Sequence, residues 1–179
     1  MPGQIDGSKI AMPQVPSAVT VVTAAGDDNL AGLTVRSFTS VSIDPLLISL
    51  NVPRATQEHD LIVGAAHFAV HLLSEDQAAL SNHFSALTPR GEAPFAAIPH
   101  RRDGHGTPIL EDSLAVFYCA HHAVHEAGDH SLLIGEVRHI DQGAEGAPLL
   151  YFDHSYRSVG DEVEAKTLDP VKRSSNEIL

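Results

Sequence analysis

Short runs of apolar and β-branched residues, bounded by turn residues, recur along most of the chain. The first run, at 18–25, is rich in Val and Thr and ends at the turn cluster Gly26-Asp27-Asp28-Asn29, so it predicts a hairpin with the run at 31–40. Further strands are predicted at 46–52, 68–73, 114–126, 132–140 and 149–152. Strands at this spacing, with few helices between them, favour a mainly β fold that closes into a barrel.

Two segments carry helix signals, and a third interrupts the pattern. The segment 76–85 follows Ser74, a good N-cap residue, with Gln77 three positions on, which is a capping-box pattern. The segment 57–65 is a weaker helix prediction. The segment 88–108 contains Pro and Gly at many positions, so we expect a long irregular loop that acts as a lid or an interface element or is disordered. The charged tail at 161–179 is expected to be a short helix or disordered.

The composition is that of one globular domain. The chain has 179 residues, of which 43% are hydrophobic, enough for a buried core. Its formal net charge of −12 argues against nucleic acid or an anionic membrane as a partner, because such binding needs clustered cations. Cys119 is the one cysteine, so no intrachain disulfide forms, and no apolar run is long enough to span a bilayer. These features predict a soluble, cytoplasmic protein.

Hydroxyl side chains are concentrated between Gly32 and Asp44, at the end of a predicted strand. Buried hydroxyls need partners, since an unpaired one costs about 1–3 kcal/mol. The backbone and hydroxyl groups of a turning chain can bind a phosphate, and Arg36 would add a charged donor. Alternatively, the segment is a turn whose hydroxyls hydrogen-bond to its own backbone. The residues alone leave both interpretations open.

Several short motifs follow one another between residues 17 and 156. They are Thr20-Val21-Val22-Thr23, Gly32-Leu33-Thr34-Val35-Arg36-Ser37-Phe38-Thr39-Ser40-Val41-Ser42, Asp44-Pro45-Leu46-Leu47, Phe68-Ala69-Val70-His71-Leu72-Leu73, Gly128-Asp129-His130, Gly135-Glu136-Val137 and Pro148-Leu149-Leu150-Tyr151-Phe152. In this order they resemble the flavin reductase family of the FMN-binding split barrel. The resemblance divides the chain into an N-terminal arm at 1–16, a split-barrel domain at 17–157 and a C-terminal tail at 158–179.

The resemblance implies a fold and an activity. Members of this family are typically homodimers of a Greek-key split β-barrel of about six strands with a few flanking helices. They bind FMN or FAD, reduce it with NADH or NADPH, and often supply reduced flavin to a partner monooxygenase. Two other functions share the motifs: a flavoenzyme with tightly bound FMN that acts on an organic substrate, and a non-catalytic flavin-binding protein.

The resemblance also assigns binding residues, motif by motif. The isoalloxazine ring and the ribityl chain would lie against Thr34, Val35, Arg36 and Ser37. The flavin phosphate would lie near Ser40 and Thr56, and the ring would also pass Ser49, Leu50 and Asn51. Ala55 stands where the family often has a phosphate-binding serine, so either Thr56 replaces it or the phosphate is held less tightly. Tyr151 and Tyr156 are expected to wall the pocket or contact the dinucleotide, or to be buried aromatics.

His130 is the candidate catalytic residue. A tight turn between two strands explains Gly128 and Asp129, whereas the family's matching histidine commonly sits beside the flavin and contacts the nicotinamide. His121, His122 and His125 resemble a metal cluster, but on a strand they face opposite sides. No cysteine pair or carboxylate completes a zinc-like pattern, so we expect no metal. Cys119 is expected to be a small buried hydrophobic residue.

Overall fold

The structure is a computed structural model that describes residues 11–85, 93–143 and 145–163, except for the side chain of Ala93. Strands dominate these residues, which confirms the predicted mainly β fold. The strands are β1 (Ser17–Ala18), β2 (Thr20–Ala25), β3 (Leu30–Val35), β4 (Thr39–Ile43), β5 (Leu46–Pro53), β6 (His67–Leu72), β7 (His100–Arg102), β8 (Pro108–Leu110), β9 (Ala115–Ala127), β10 (His130–Gln142), β11 (Leu150–Phe152) and β12 (Ser155–Arg157). The helices are α1 (His59–Gly64) and α2 (Ala78–Ser85), with 3-10 turns at Met12–Gln14, Glu75–Gln77 and Ala93–Phe95.

One antiparallel sheet of seven strands organises the described residues, in the order β3-β2-β6-β9-β10-β5-β4. The hairpins β2–β3 and β9–β10 pair strands that are consecutive in the chain. The pairs β2–β6 and β5–β10 bring together strands that are distant in sequence. A three-stranded sheet, β1-β11-β12, and the hairpin β7–β8 lie beside the main sheet.

The main sheet curls into a barrel because its two edge strands are linked by a very short connection. A flat sheet of seven strands would hold its edges about 29 Å apart, since neighbouring strands lie ~4.8 Å apart. The edges β3 and β4 are joined by residues 36–38, which span at most about 11 Å. The backbone N–H of Asn51 also donates to Ser37 Oγ at 2.8 Å across this gap. The expected split barrel is confirmed, and we call the gap between β3 and β5 the barrel seam.

Two apolar clusters hold the barrel and its outer layer together. Val22, Leu33, Leu50 and Phe68 belong to the cluster inside the barrel. On β2, alternate residues face opposite sides of the sheet, so Val21 belongs to a second cluster outside the wall, with Leu73, Phe84, Phe95 and Leu149. Strand β2 is therefore buried on both faces, which explains its unbroken run of Val, Thr and Ala.

The helix predictions are close to the structure. The capping box is confirmed: the Ser74 side chain accepts from the backbone of Gln77, and the Ser74 N–H donates to Gln77 Oε1 at 3.1 Å. It starts the 3-10 turn at Glu75–Gln77, which continues into α2. The weaker prediction at 57–65 corresponds to α1. No helix of the described ranges has the length and apolar character needed to cross a membrane.

Three boundaries differ from the sequence predictions. The strand predicted at 31–40 is two strands, β3 and β4, because residues 36–38 connect the two edge strands of the main sheet. The segment predicted as an irregular loop, 88–108, contains some regular structure in its described part, where β7 pairs with β8. Pro108 is tolerated there because it stands first in its strand. Strand β12 was not predicted. Residues 86–92 and most of the tail, from 164, lie outside the described residues.

Candidate functional site

A cavity of about 840 Å³ opens at the barrel seam; we call it cavity A. Its volume lies within the range of about 300–1,000 Å³ that is common for small-ligand sites. Its walls come from the ends of β3, β5, β10 and β11, from the turn after β11, and from the segment that precedes β1. The lining residues are Met12, Pro13, Val15, Ser17, Thr34, Val35, Arg36, Ser37, Asn51, Pro53, His130, Tyr151 and His154.

Arg36 is the cation of cavity A that is best placed to meet an anion. It is exposed, in the short connection that closes the barrel. Its guanidinium carbon lies 4.3 Å from the centroid of the Tyr151 ring, a cation–π contact that orients the side chain. No ion pair joins Arg36 to a carboxylate of the described residues. Its N–H donors are therefore available to a phosphate.

The hydroxyl groups of β3 and the seam hydrogen-bond to backbone groups of other elements. Thr34 Oγ1 donates to the Ser81 carbonyl of α2 at 2.8 Å. Ser37 Oγ accepts from the Asn51 N–H of β5. These bonds favour the backbone-bonding interpretation over a phosphate cradle, but the partners lie across the barrel rather than in the same turn. The two hydroxyls hold β3 against α2 and close the seam.

His130 stands at the start of β10, opposite Pro53 of β5, with 39% of its side chain exposed. Its Nδ1 is 2.6 Å from Asp129 Oδ1, and this hydrogen bond from His130 lowers the pKa of Asp129. The Arg54 N–H donates to the Asp129 carbonyl at 2.9 Å, and Gly128 adopts a φ of +66°, which favours glycine. The turn thus fixes the ring and leaves Nε2 for a ligand in cavity A.

A second cavity, of about 430 Å³, adjoins the first; we call it cavity B. Four residues line both cavities: Thr34, Arg36, Tyr151 and His154. The remaining walls of cavity B are Val19, Ser81, Asn82, Ser85, Ser155 and Tyr156. Tyr156 is therefore a residue of cavity B; its hydroxyl donates to Asn82 Oδ1 at 2.9 Å and lies 2.9 Å from Ser81 Oγ.

The structure does not place every predicted binding residue on a cavity. The Leu50 side chain is 1% exposed and lies in the barrel core, because it alternates with Asn51 along β5; a contact of Leu50 with the cofactor stays a prediction. Ser40 and Ser49 lie within the sheet, paired with Ile48 and Thr39. The hydroxyl of Thr56 donates to the Pro53 carbonyl at 2.9 Å. Contacts of Ser40, Ser49 and Thr56 with a cofactor stay predictions.

The comparisons with known proteins decide the family. Residues 12–160 match the family described as flavin reductase like domain. The chain belongs to the flavin reductase family. It is 35% identical over 149 residues to the reductase component of 4-hydroxyphenylacetate 3-monooxygenase from Thermus thermophilus, a match covering 83% of this chain and 93% of that protein. It is 40% identical over 121 residues to FMN reductase (NADH) SmoA of Agrobacterium fabrum, covering 68% and 67% of the two chains.

Solved structures agree with this flavin reductase assignment. The NADH:FAD oxidoreductase SgcE6 of Streptomyces globisporus superposes with a TM-score of 0.81 at 28% identity, covering 90% of this chain and 96% of that one. BorF, the flavin reductase component of a bacterial two-component tryptophan halogenase, gives a TM-score of 0.79 at 28% identity, covering 89% and 100%.

The residues of this flavin reductase suit a flavin in cavity A. Val15, Val35 and Pro53 provide apolar surface for a flat ring system, while Asn51 and Arg36 provide polar and charged donors. A site with apolar walls and a few polar groups is typical of cofactor binding. Cys119 offers no competing thiol chemistry, because burial raises its pKa to about 12. The donor set therefore fits FMN or the flavin half of FAD.

Sequence analysis of this flavin reductase did not identify the cavity A residues that lie outside the barrel strands. Met12, Pro13 and Val15 belong to the segment predicted as an arm, yet they line cavity A. His154 and Asp153 form the two-residue turn between β11 and β12, with φ values of 59° and 47°. The Asp153 N–H donates to the Pro13 carbonyl at 2.8 Å. The sequence Phe152-Asp153-His154-Ser155 could have been interpreted as a hairpin turn, which would have placed His154 between two paired strands.

Proposed function

We propose that this chain is an NAD(P)H:flavin oxidoreductase, which transfers a hydride from NADH or NADPH to FMN or FAD. The observation that carries the proposal is cavity A: it is built by the Thr34-Val35-Arg36-Ser37 motif, and His130 lies across from it on β10. A bound flavin would supply the redox chemistry: reduced nicotinamide would give it a hydride, which carries two electrons and one proton, and would become oxidised nicotinamide. No protein nucleophile or carboxylate pair is required.

The side chains then act by binding and orientation. Arg36 pairs with the phosphate of the flavin, held in place by the Tyr151 ring. Asn51 and the apolar residues position the flavin ring. His130 would contact the nicotinamide through the ring nitrogen that Asp129 does not occupy. Stacking two flat rings at contact distance in a fixed orientation supplies most of what hydride transfer needs from the protein.

We further propose that the protein forms a homodimer, and that it supplies reduced flavin to a separate monooxygenase. Strand β4 is one of the two edge strands of the main sheet, and its Ile43 is 85% exposed. An exposed apolar edge strand is a natural pairing surface. Relatives are named as reductase components of monooxygenases, among them the Thermus protein and HsaB of Mycobacterium tuberculosis. That supports an oxygenase that receives the reduced flavin.

The test is a matrix of NADH and NADPH oxidation rates with added FMN, FAD and riboflavin. A reductase turns over free flavin in many equivalents per protein. A flavoenzyme with tightly bound FMN would oxidise nicotinamide only with another acceptor, and a flavin-binding protein would not oxidise it at all. For a His130→Ala protein in the same assay, His125→Ala is the matched control, because His125 is exposed on β9 and lines neither cavity.

A further inference from the structure

Three side chains, Asp60, His59 and Ser131, form a hydrogen-bonded row that lines neither cavity A nor cavity B. His59 Nδ1 is 2.8 Å from Asp60 Oδ1, and its Nε2 is 2.8 Å from Ser131 Oγ. An ionised carboxylate only accepts hydrogen bonds, so Nδ1 carries the ring hydrogen. In the neutral ring Nε2 therefore accepts from the hydroxyl of Ser131, a residue that is 4% exposed and needs such a partner. We call this row the His59 bridge.

The same order of groups occurs in a catalytic triad, but the surroundings of Ser131 do not suit a nucleophile. Ser131 is paired with the fully buried Val52 of β5. It lies on the opposite side of the sheet from His130, because residues alternate along β10. A nucleophile has to meet its substrate, whereas this hydroxyl is covered. The bridge therefore acts on the structure, by tying β10 to α1.

Helix α1 is a firm anchor for the bridge. Ile62 is fully buried and belongs to the apolar cluster inside the barrel. His59 comes three residues before Ile62, so the two side chains lie on the same side of the helix. The His59 side chain is 13% exposed. A largely covered imidazole on an anchored helix has little freedom to move, and it restrains Ser131 in turn.

The start of β10 needs this restraint, because its pairing with β5 is incomplete there. His130 is opposite Pro53, and a proline has no N–H to donate to the neighbouring strand. The next N–H along the chain, that of Arg54, donates to the Asp129 carbonyl at 2.9 Å. The His59 bridge supplies a second contact, one residue beyond His130. The turn that carries His130 is thus held from both sides by the segment 53–60.

We propose that His59 is a positioning residue for the reduced nicotinamide: through Ser131 it fixes the start of β10, and so the place of the His130 ring in cavity A. The inference rests on the proposed function, in which His130 contacts the nicotinamide. Ser131 is the next residue in the chain, so a shift of its backbone carries the His130 ring with it. A misplacement of about 1 Å can cost about a hundredfold in rate.

Substitutions of His59 can separate the two hydrogen bonds of the bridge. The side-chain amide of glutamine reaches the position of Nε2, and that of asparagine reaches the position of Nδ1. His59→Gln therefore keeps the bond to Ser131, while His59→Asn keeps the contact with Asp60 and loses the bond to Ser131. Ser131→Ala removes the same bond from the other side. His125→Asn is the matched control, because His125 is exposed on β9 and lines neither cavity.

Backbone hydrogen exchange of the full chain, without added flavin, measures how firmly the turn is held. Exchange at the Arg54 N–H reports on its bond to the Asp129 carbonyl. We expect His59→Asn and Ser131→Ala to speed this exchange about tenfold or more, and His59→Gln and His125→Asn to leave it near the wild-type rate. Exchange in β2 should be the same in all these proteins, whereas a general loss of stability would speed it as well.

Kinetics then show whether the effect passes through His130. His59→Asn and Ser131→Ala should each lower kcat/KM for the reduced nicotinamide about three- to tenfold, and His59→Gln should stay near wild type. In the His130→Ala background the same changes should cause no further loss, because the group that they position is absent. A merely structural contribution would lower the rate by the same factor in both backgrounds.

Two results overturn the inference and leave the proposed function intact. One is an Arg54 exchange rate that His59→Asn and Ser131→Ala do not change. The other is a kcat/KM that falls equally, or not at all, with and without His130. Absence of flavin reduction by NADH and NADPH in the wild-type protein refutes the proposed function, and the positioning role of His59 with it.

Discussion

His71 should make the stability of this protein depend on pH in a defined window. The side chain is fully buried and joins three strands: its Nδ1 lies 3.0 Å from the Val21 carbonyl, and its Nε2 accepts from the Leu110 N–H at 3.1 Å. A proton on Nε2 would face the Leu110 donor. Burial, with a smaller contribution from the charge of Arg101, lowers the pKa of His71 from its ordinary value of 6.5 to about 4.

The sign and the size of the effect follow from linkage. Above pH 6.5 the ring is neutral in the folded and the unfolded chain, so the full stability is present. Between pH 6.5 and 4 the unfolded chain binds a proton that the folded chain does not, and the free energy of unfolding falls. The two pKa values, 6.5 and about 4, differ by about 2.5, and each pKa unit is worth about 1.4 kcal/mol. The loss is therefore about 3 kcal/mol by pH 4 and levels off at about 3.5 kcal/mol at lower pH.

The assay is urea unfolding of the wild-type, His71→Gln and His125→Gln proteins between pH 7.5 and 4.5. Glutamine offers a donor and an acceptor but does not titrate in this range. The His71→Gln protein should be less stable than wild type at pH 7.5, and the gap should close by about 2–3 kcal/mol at pH 4.5. The His125→Gln protein is the control, because His125 is exposed on β9. An equal gap at both pH values would show that His71 does not carry the effect.

Three further changes test the site and the barrel. His130→Ala should lower kcat/KM for the reduced nicotinamide by about ten- to a hundredfold with the flavin dissociation constant little changed; unchanged kinetics at limiting NADH would remove His130 from the site. Gly32→Ala puts a Cβ 2.5 Å from the buried Phe84 ring, so urea unfolding should show a loss of about 1–3 kcal/mol, and equal stability would mean that the ring gives way. Ser37→Ala removes the acceptor of the Asn51 N–H and should cost about 1 kcal/mol, with faster amide exchange at Asn51; unchanged exchange would refute a closing role for that bond.

The strands, the capping box and the family could be read from the sequence because each depends on residues close together in the chain. A short run of mostly apolar residues identifies a strand such as β6 without knowledge of its neighbours. The cap at Ser74 needs only Gln77, three residues on. The Gly32-Leu33-Thr34-Val35-Arg36-Ser37 motif pointed to the family for the same reason, since its order in the chain is its signature.

The boundary between β3 and β4 and the remaining cavity walls were decided by tertiary structure. Whether residues 36–38 continue a strand or cross a seam depends on which strands occupy the sheet edges, and those edges are set by β2–β6 and β5–β10 pairs of residues far apart in sequence. Register then decides that Asn51 lines cavity A while Leu50 enters the core. His154 and Met12 reach the cavity only because a separate small sheet packs beside the barrel. Local propensity carries no information about such distant pairings, which are fixed by burial of the whole apolar surface at once.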